Sequence, residues 1–155
     1  MNFFLKQAFD NLLKSNRFIS DDSYIIEKAE KSKDVFVGIS PEGHPAILLM
    51  IKDEVSESYD SINLNGIKTE FKVRCNYSFS KKDIRQATFN IVMCVDESSN
   101  MQEFFFNFFE RFFSREKTVS TAQLKKEIEF IRELFAHKKK PGLKTIMGLW
   151  SELFI

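Results

Sequence analysis

Three residues in the middle of the chain have the types and spacing of a metal-dependent nuclease site. Glu70-Phe71-Lys72 forms an E-x-K triplet in a strand-like run, and Asp60 precedes it by ten residues. In nucleases of this kind, two carboxylates hold Mg²⁺ at a strand end, and a lysine orients the attacking water or stabilises charge on the phosphate. Asp60, Glu70 and Lys72 are therefore candidate catalytic residues.

The surroundings of this set favour a solvated strand over a catalytic site. Asp60 lies in a polar stretch and lacks the preceding proline of the nuclease signature. Glu70 and Lys72 belong to a run that mixes charged and apolar residues, as expected where one face of a sheet meets water. The order of elements also differs from a nuclease core, which begins with a helix that carries a Glu. A small Mg²⁺-dependent nuclease stays open as an alternative.

Other catalytic and metal-binding patterns are missing from the sequence. His44 and His137 are its two histidines, and no Cys/His spacing suits zinc. Its five glycines form no phosphate-binding loop, and there is no GxSxG nucleophile motif. Cys75 and Cys94 lie in separate strand-like runs, which indicates buried free thiols in a reducing cytoplasm, although a disulfide between neighbouring strands stays open.

Composition favours one folded domain without a strong preference for nucleic acid. The chain has 155 residues, of which 43% are hydrophobic and 29% charged, with a net charge of +1. These values argue against disorder and against a strongly basic nucleic-acid binder, but leave room for a local basic patch. One such patch is predicted at Lys138, Lys139 and Lys140 together with Lys144, where the lysines could contact phosphate or simply form a solvated helix end.

The most unusual stretch is FFFNFFERFF, which holds seven phenylalanines between residues 104 and 113. A membrane span needs about 20 predominantly apolar residues, and here Asn107, Glu110 and Arg111 interrupt the run. At about 100° per residue, the phenylalanines fill an arc of roughly 200° on a helix. Since so wide a face usually contacts two other elements, we expect it to belong to the core of the chain. We also expect no membrane contact. The expected location is the cytoplasm.

An alternative places part of this apolar face at an interface with another domain or a second copy of the chain. The candidate interface residues come from the phenylalanine run and from the last predicted helix. They are Phe105, Phe109, Phe113, Trp150, Leu153 and Phe154.

The elements that must position these residues change from period 2 to period 3.6 along the chain. Asn65-Gly66 is a strong hairpin signal, and Ser120 to Gln123 resembles a helix capping box. About six strands in a meander, followed by helices, predict an α+β fold: an antiparallel sheet with an N-terminal helix and C-terminal helices packed on one face. The predicted helices cover 2–15, 98–114, a segment from 121 and 143–154, and the strands cover 23–30, 34–40, 45–52, two arms within 61–79, and 86–95.

The helical half resembles a known bacterial family. The segments VMCVDESSNMQEFFFNFFERFF, LKKEIEFIRELF and MGLWSELFI are similar to the N-terminal region of the PD-(D/E)XK motif proteins, nuclease-like proteins associated with restriction-modification and phage-defence gene neighbourhoods. The similarity covers the C-terminal third of the chain, and the strand half agrees only in the order of elements. The family's G-L-W-x-E-L segment is matched here by Gly148, Leu149, Trp150, Glu152 and Leu153.

The resemblance implies a division at residue 142. Residues 1–142 would form an α+β accessory domain, and residues 143–155 would begin a helix that opens a following nuclease-like domain. The Asp and the (D/E)-x-K strand of that domain would lie beyond Ile155. Glu152 matches a helix Glu that assists the metal in such cores, but alone it cannot hold a divalent ion. We therefore expect no cofactor for this chain, and Mg²⁺ only where the nuclease domain is present.

The first functional hypothesis is a non-catalytic accessory domain of such a nuclease-like protein, which positions a catalytic domain or binds DNA or a partner. Its expected partners are a following or separately encoded nuclease-like domain, DNA, and a second copy of the chain. The alternative is a self-contained interaction protein, homodimeric through its phenylalanine-rich and C-terminal helices. The third possibility is the small Mg²⁺-dependent nuclease described above.

Overall fold

A computed structural model describes residues 4–14, 22–29, 34–51, 59–79, 84–115 and 119–136. This part of the chain forms three helices and six strands. The helices are α1 (Phe4–Lys14), α2 (Ser99–Arg115) and α3 (Thr121–Ala136). The strands are β1 (Ser23–Lys28), β2 (Val35–Ile39), β3 (Pro45–Met50), β4 (Ile62–Leu64), β5 (Ile67–Ser78) and β6 (Ile84–Cys94). The predicted α+β class is confirmed. The predicted helix over 143–154 and the division at residue 142 lie outside the described residues.

The sheet closes on itself, so the expected open antiparallel sheet is wrong. Strands follow the order β1-β2-β3-β6-β5, and β5 pairs back onto β1 to close a five-stranded barrel. That closing pair is parallel, whereas the other pairs are antiparallel. At 12 residues, β5 is long enough to pair with β4 through its first part and with β1 through its last. Local sequence patterns do not encode a pairing between such distant segments.

Closure gives the strands an inner and an outer face, each with its own apolar cluster. The inner face contributes strand residues alone, which we call the interior cluster: Tyr24, Ile26, Phe36, Ala46, Leu48, Tyr77, Phe89, Ile91 and Met93. The outer cluster joins buried residues of all three helices to outward-facing strand residues, namely Val35, Val37, Ile47, Leu49, Ile62, Ile67, Phe71, Val92 and Cys94. The described helices therefore pack on the outside of the barrel.

Gly38 marks how narrow the barrel is. It pairs with Ile26 on one side and Ala46 on the other, and both of these residues belong to the interior cluster. A Cβ atom at this position would lie 2.8 Å from the carbonyl oxygen of Ile25 and 2.9 Å from Cγ2 of Ile26. A side chain at this position would force atoms of β1 to move, which is typical of a glycine where neighbouring backbone approaches closely.

The phenylalanine run of α2 lies in the core. Each of its seven phenylalanines is at most 3% exposed. On one side the helix packs against α1, where the Phe9 and Phe106 ring centroids are 5.0 Å apart, and on another against α3, where Phe104 and Phe135 are 6.2 Å apart. The expectation that the wide apolar face contacts more than one element is confirmed. Of the helices in the described ranges, none combines the length and apolar composition needed to cross a lipid bilayer.

Two local predictions of chain geometry are also confirmed. Ser120 Oγ accepts the backbone N–H of Gln123 at 3.1 Å, and Gln123 Oε1 accepts the backbone N–H of Ser120 at 2.8 Å. This reciprocal capping box starts α3. Gly66 turns the chain between β4 and β5 with a φ of +87°, as the Asn65-Gly66 signal predicts.

Candidate functional site

The residues of the predicted nuclease set lie in and beside β5. Asp60 is exposed in the stretch before β4, and Glu70 forms an ion pair with Lys68 at 3.1 Å. Glu70 also pairs across the sheet with Ile91, a member of the interior cluster. Because directly opposed residues of antiparallel strands share a face, Glu70 lies on the inner face. Within the described ranges, no three His, Cys, Asp or Glu residues are placed to hold a metal ion.

A β-bulge interrupts β5 immediately after Glu70. The register with β6 shifts between Glu70 and Val73, and Lys72 has a φ of 53° in the left-handed region. Ile67 before the bulge and Phe71 within it pack in the outer cluster, whereas Val73 and Cys75 after it pack against the interior cluster. The bulge therefore reverses which face the odd-numbered residues occupy. Sequence reasoning missed it, because Lys is seldom found in the left-handed region.

This reversal separates the two ends of the E-x-K triplet. The ammonium group of Lys72 lies 5.3 Å from the ring centroid of Tyr59. The Tyr59 ring is 5.6 Å from the ring of Phe71 and packs against the outer cluster. Lys72 thus reaches toward the outer side, while Glu70 lies on the inner face beside Ile91. The structure does not bring the Glu70 carboxylate and the Lys72 ammonium together around one position.

Lys72 instead forms a group with an aromatic ring and a second lysine. Lys125 of α3 places its Nζ 5.3 Å from the same Tyr59 centroid. We call Tyr59, Lys72 and Lys125 the cationic cluster. Lys125 is also 3.8 Å from Glu129 one turn later, but both side chains are more than 40% exposed, so that ion pair is weak. Sequence reasoning did not assemble this cluster because its members come from three separate segments.

One buried asparagine fixes the two elements that carry these lysines. Asn90 of β6 is 2% exposed. Its Oδ1 accepts the backbone N–H of Lys72 at 2.9 Å, and its Nδ2 donates to Thr121 Oγ1 at 3.0 Å. Thr121 is the first residue of α3, and Lys125 follows one turn later. Asn90 therefore sets the position of the bulge relative to the start of α3.

Comparison with known proteins gives no match for the chain. No protein family model, curated protein or solved structure matches it. The resemblance to the PD-(D/E)XK motif proteins therefore rests on the sequence segments quoted above.

The cysteines are free thiols on opposite sides of the barrel wall. Cys75 packs against the interior cluster, whereas Cys94 belongs to the outer cluster. Since their side chains point to opposite faces, the disulfide that the sequence left open does not form between them. Burial raises the pKa of each thiol to about 11, which keeps both protonated at neutral pH and makes them poor nucleophiles.

A shallow groove of about 410 Å³ lies between α1 and α2. Lys6 crosses it, with its Nζ 5.5 Å from the Phe106 ring centroid and 3.4 Å from Asp10. The groove is lined by Lys6, Ser99, Gln102, Glu103, Phe106 and Asn107. This set combines charged and amide groups without a nucleophile and base in contact, so it suggests no reaction.

Several predicted site residues lie outside the described part of the chain. They are Lys138, Lys139, Lys140, Lys144, Trp150, Glu152, Leu153 and Phe154. The other predicted interface residues are described. Phe105, Phe109 and Phe113 are each 0% exposed, so the chain's own elements cover the positions that the alternative hypothesis placed at an interface. His44 lies beside the β2–β3 turn, where its backbone N–H donates to Ser40 Oγ at 3.0 Å.

Proposed function

We propose that this chain is a non-catalytic accessory domain of a nuclease-like protein of the restriction or phage-defence type. It would position a catalytic domain or bind DNA or a partner. The observation that carries the proposal is the bulge in β5, which turns Glu70 and Lys72 to different sides of the barrel wall. A nuclease of the E-x-K type needs these groups at one metal-bound phosphate.

The filling of the barrel supports a scaffold role. Aromatic rings occupy the interior in edge-to-face contact: the ring centroids of Tyr77 and Phe89 are 5.4 Å apart, and those of Phe36 and Phe89 are 6.3 Å apart. An interior packed in this way rigidifies the wall. The groups that can meet a ligand are then those that project outward from the wall and from the helices.

A cleavage assay tests the proposal directly. Purified chain is incubated with supercoiled plasmid and either Mg²⁺ or Mn²⁺, alongside the Glu70→Ala variant. We expect no nicking by either protein above the background of a mock preparation. Glu133→Ala is the matched control, because it removes an exposed carboxylate of α3. Metal-dependent cleavage that is lost in Glu70→Ala and retained in Glu133→Ala would overturn the proposal.

A further inference from the structure

We infer that α1 is a proton-controlled cover on the outside of the barrel. When the carboxyl group of Glu110 is protonated, α1 is held against α2 and the barrel. When Glu110 is ionised, release of α1 as a unit becomes more favourable. The inference concerns the docking of one helix, so it does not depend on the proposed function.

Side-chain packing, rather than strand pairing, attaches α1 to the rest of the fold. Its buried face consists of Leu5, Ala8, Phe9 and Leu12, and the helix contacts α2, β1 and β2. The strands of the barrel pair with one another and not with α1. Since an isolated helix of 11 residues is marginal in water, docking is what keeps α1 ordered. Such a unit can open while the barrel stays closed.

Release of α1 uncovers an apolar face. The ring centroids of Phe9 and Phe106 are 5.0 Å apart, and Phe106 is 1% exposed with α1 in place. Beside it, β2 contributes Val35 and Val37 to the same outer cluster. The released state therefore exposes aromatic and aliphatic side chains together, the kind of surface that another apolar surface covers.

Glu110 is a buried polar group in the contact between α1 and α2. Its Oε1 accepts the backbone N–H of Leu5 at 2.8 Å, whereas its Oε2 is buried without a hydrogen-bond partner. A carboxylate at this position has lost hydration that one hydrogen bond does not replace. Because release of α1 returns the carboxylate to water, ionisation favours the released state.

Charged groups on the neighbouring elements do not compensate the Glu110 carboxylate. They are Lys6, Asp10 and Lys14 of α1, Glu27 of β1, and Glu103 and Arg111 of α2, whereas the residues of β2 are uncharged. Lys6 pairs with Asp10 at 3.4 Å. Within the described ranges, none of these groups forms an ion pair with Glu110.

Burial is the largest influence on the pKa of Glu110 and raises it above 4.5, while the Leu5 N–H and the charged α-amino terminus lower it. In the released state the carboxyl titrates near its usual value. Docking of α1 is therefore firmest below about pH 4.5, and this advantage is lost as the pH rises through the raised pKa of the docked state.

The test is amide hydrogen exchange of the full chain between pH 5 and 8, followed by mass spectrometry and corrected for the pH dependence of free amides. We expect α1 to exchange faster than β3, because it opens without the barrel. The corrected rate of α1 should rise by at least about threefold across this range. Glu110→Gln, which is uncharged and keeps an oxygen for Leu5, should abolish the rise. The matched control Glu133→Gln removes an exposed carboxylate of α3 and should retain it.

Thermal melts by circular dichroism establish that each variant is folded. Should Glu110→Gln fail to fold, Glu110→Met, which is uncharged and of similar length, takes its place. Equal rates in α1 and β3 would show that α1 opens only when the whole chain unfolds, and would overturn the inference. A rise that persists without the Glu110 charge, a rise lost in Glu133→Gln, or a wild-type rate that does not change with pH would overturn it as well.

Discussion

Glu110 places an ionisable group within an aromatic helix face. It is 1% exposed, and its Oε1 accepts the backbone N–H of Leu5 at 2.8 Å. That N–H belongs to the first turn of α1, where helix donors have no partner within the helix. Glu110 therefore joins α2 to the start of α1, and its second oxygen is buried without a hydrogen-bond partner. The residue helps to place α1 at the cost of a buried carboxylate.

Burial raises the pKa of Glu110 above its usual 4.5, although the hydrogen bond from Leu5 and the charged α-amino terminus act in the opposite direction. The folded chain thus holds this proton more tightly than the unfolded chain. The stabilisation that this bound proton gives to the folded state is fully present below about pH 4.5, and it is lost as the pH rises through the raised pKa of the folded state. Glu110 is a source of instability at neutral pH.

We predict that Glu110→Gln raises the free energy of unfolding at pH 7 by about 1 kcal/mol, because it removes a buried charge and keeps an oxygen for the Leu5 N–H. The difference from wild type should shrink toward pH 4. Urea denaturation between pH 4 and 8 measures both effects, with Glu103→Gln as an exposed control on the same helix. Parallel stability curves for wild type and Glu110→Gln would contradict the assignment of this burial cost.

At the scale of elements, Asn90 connects β6 to two other elements, and the sequence pattern of β6 does not indicate this role. It lies among apolar residues of β6, where sequence reasoning recognised only a central strand. Its contacts reach the bulge of β5 and the first residue of α3. Since the Lys72 bulge reverses the faces of β5, Asn90 also supports the partition between inner and outer clusters.

We predict that Asn90→Ala destabilises the chain by about 2–3 kcal/mol, because it leaves the Lys72 N–H without its acceptor and α3 without its tether. Thr121→Val removes only the second bond and should cost about 1 kcal/mol. Chemical denaturation gives both values. Equal costs for the two changes would show that the bond to the bulge contributes nothing.

A substitution in the phenylalanine run of α2 distinguishes a role in the core from a role at an interface. Phe109 is 0% exposed, so Phe109→Ser should cost about 3–5 kcal/mol and leave the association state of the folded protein unchanged. Leu13→Ser is the control, because Leu13 is 55% exposed. Sedimentation velocity and thermal melts together provide the readout. A dimer that becomes a monomer with an unchanged melting temperature would favour the interface hypothesis.

At the scale of the whole molecule, sequence predicted local structure well and long-range pairing poorly. The Asn65-Gly66 hairpin and the Ser120–Gln123 capping box are readable because neighbouring residues determine them. The pairing of β1 with β5 depends on segments far apart in the chain, and the bulge depends on Asn90 from another strand. For the same reason the E-x-K triplet was recognisable, whereas the separation of its two ends was not.

The close contacts around Gly38 lead to a prediction about the stability of the barrel. Gly38→Ala should cost about 1–3 kcal/mol, because the new Cβ would meet backbone and side-chain atoms of β1 at 2.8 and 2.9 Å. Gly43→Ala is the contrasting control: its φ is +93°, but nothing lies within 4 Å, so it should cost about 1 kcal/mol from backbone strain alone. Urea midpoints compare the two. A smaller loss of stability in Gly38→Ala than in Gly43→Ala would mean that the barrel wall can expand to accept the new methyl group.

The parallel pairing of β1 with β5 has a consequence for how the chain folds. Ser23 lies opposite Asn76, so closing the ring joins segments about 50 residues apart. The β2–β3 and β5–β6 hairpins can form early from local contacts. Closing the ring also restricts the long segment between β1 and β5, and this costs conformational entropy. Closure is thus the natural late event in folding, and changes confined to the β1–β5 seam should accelerate unfolding more than they slow refolding.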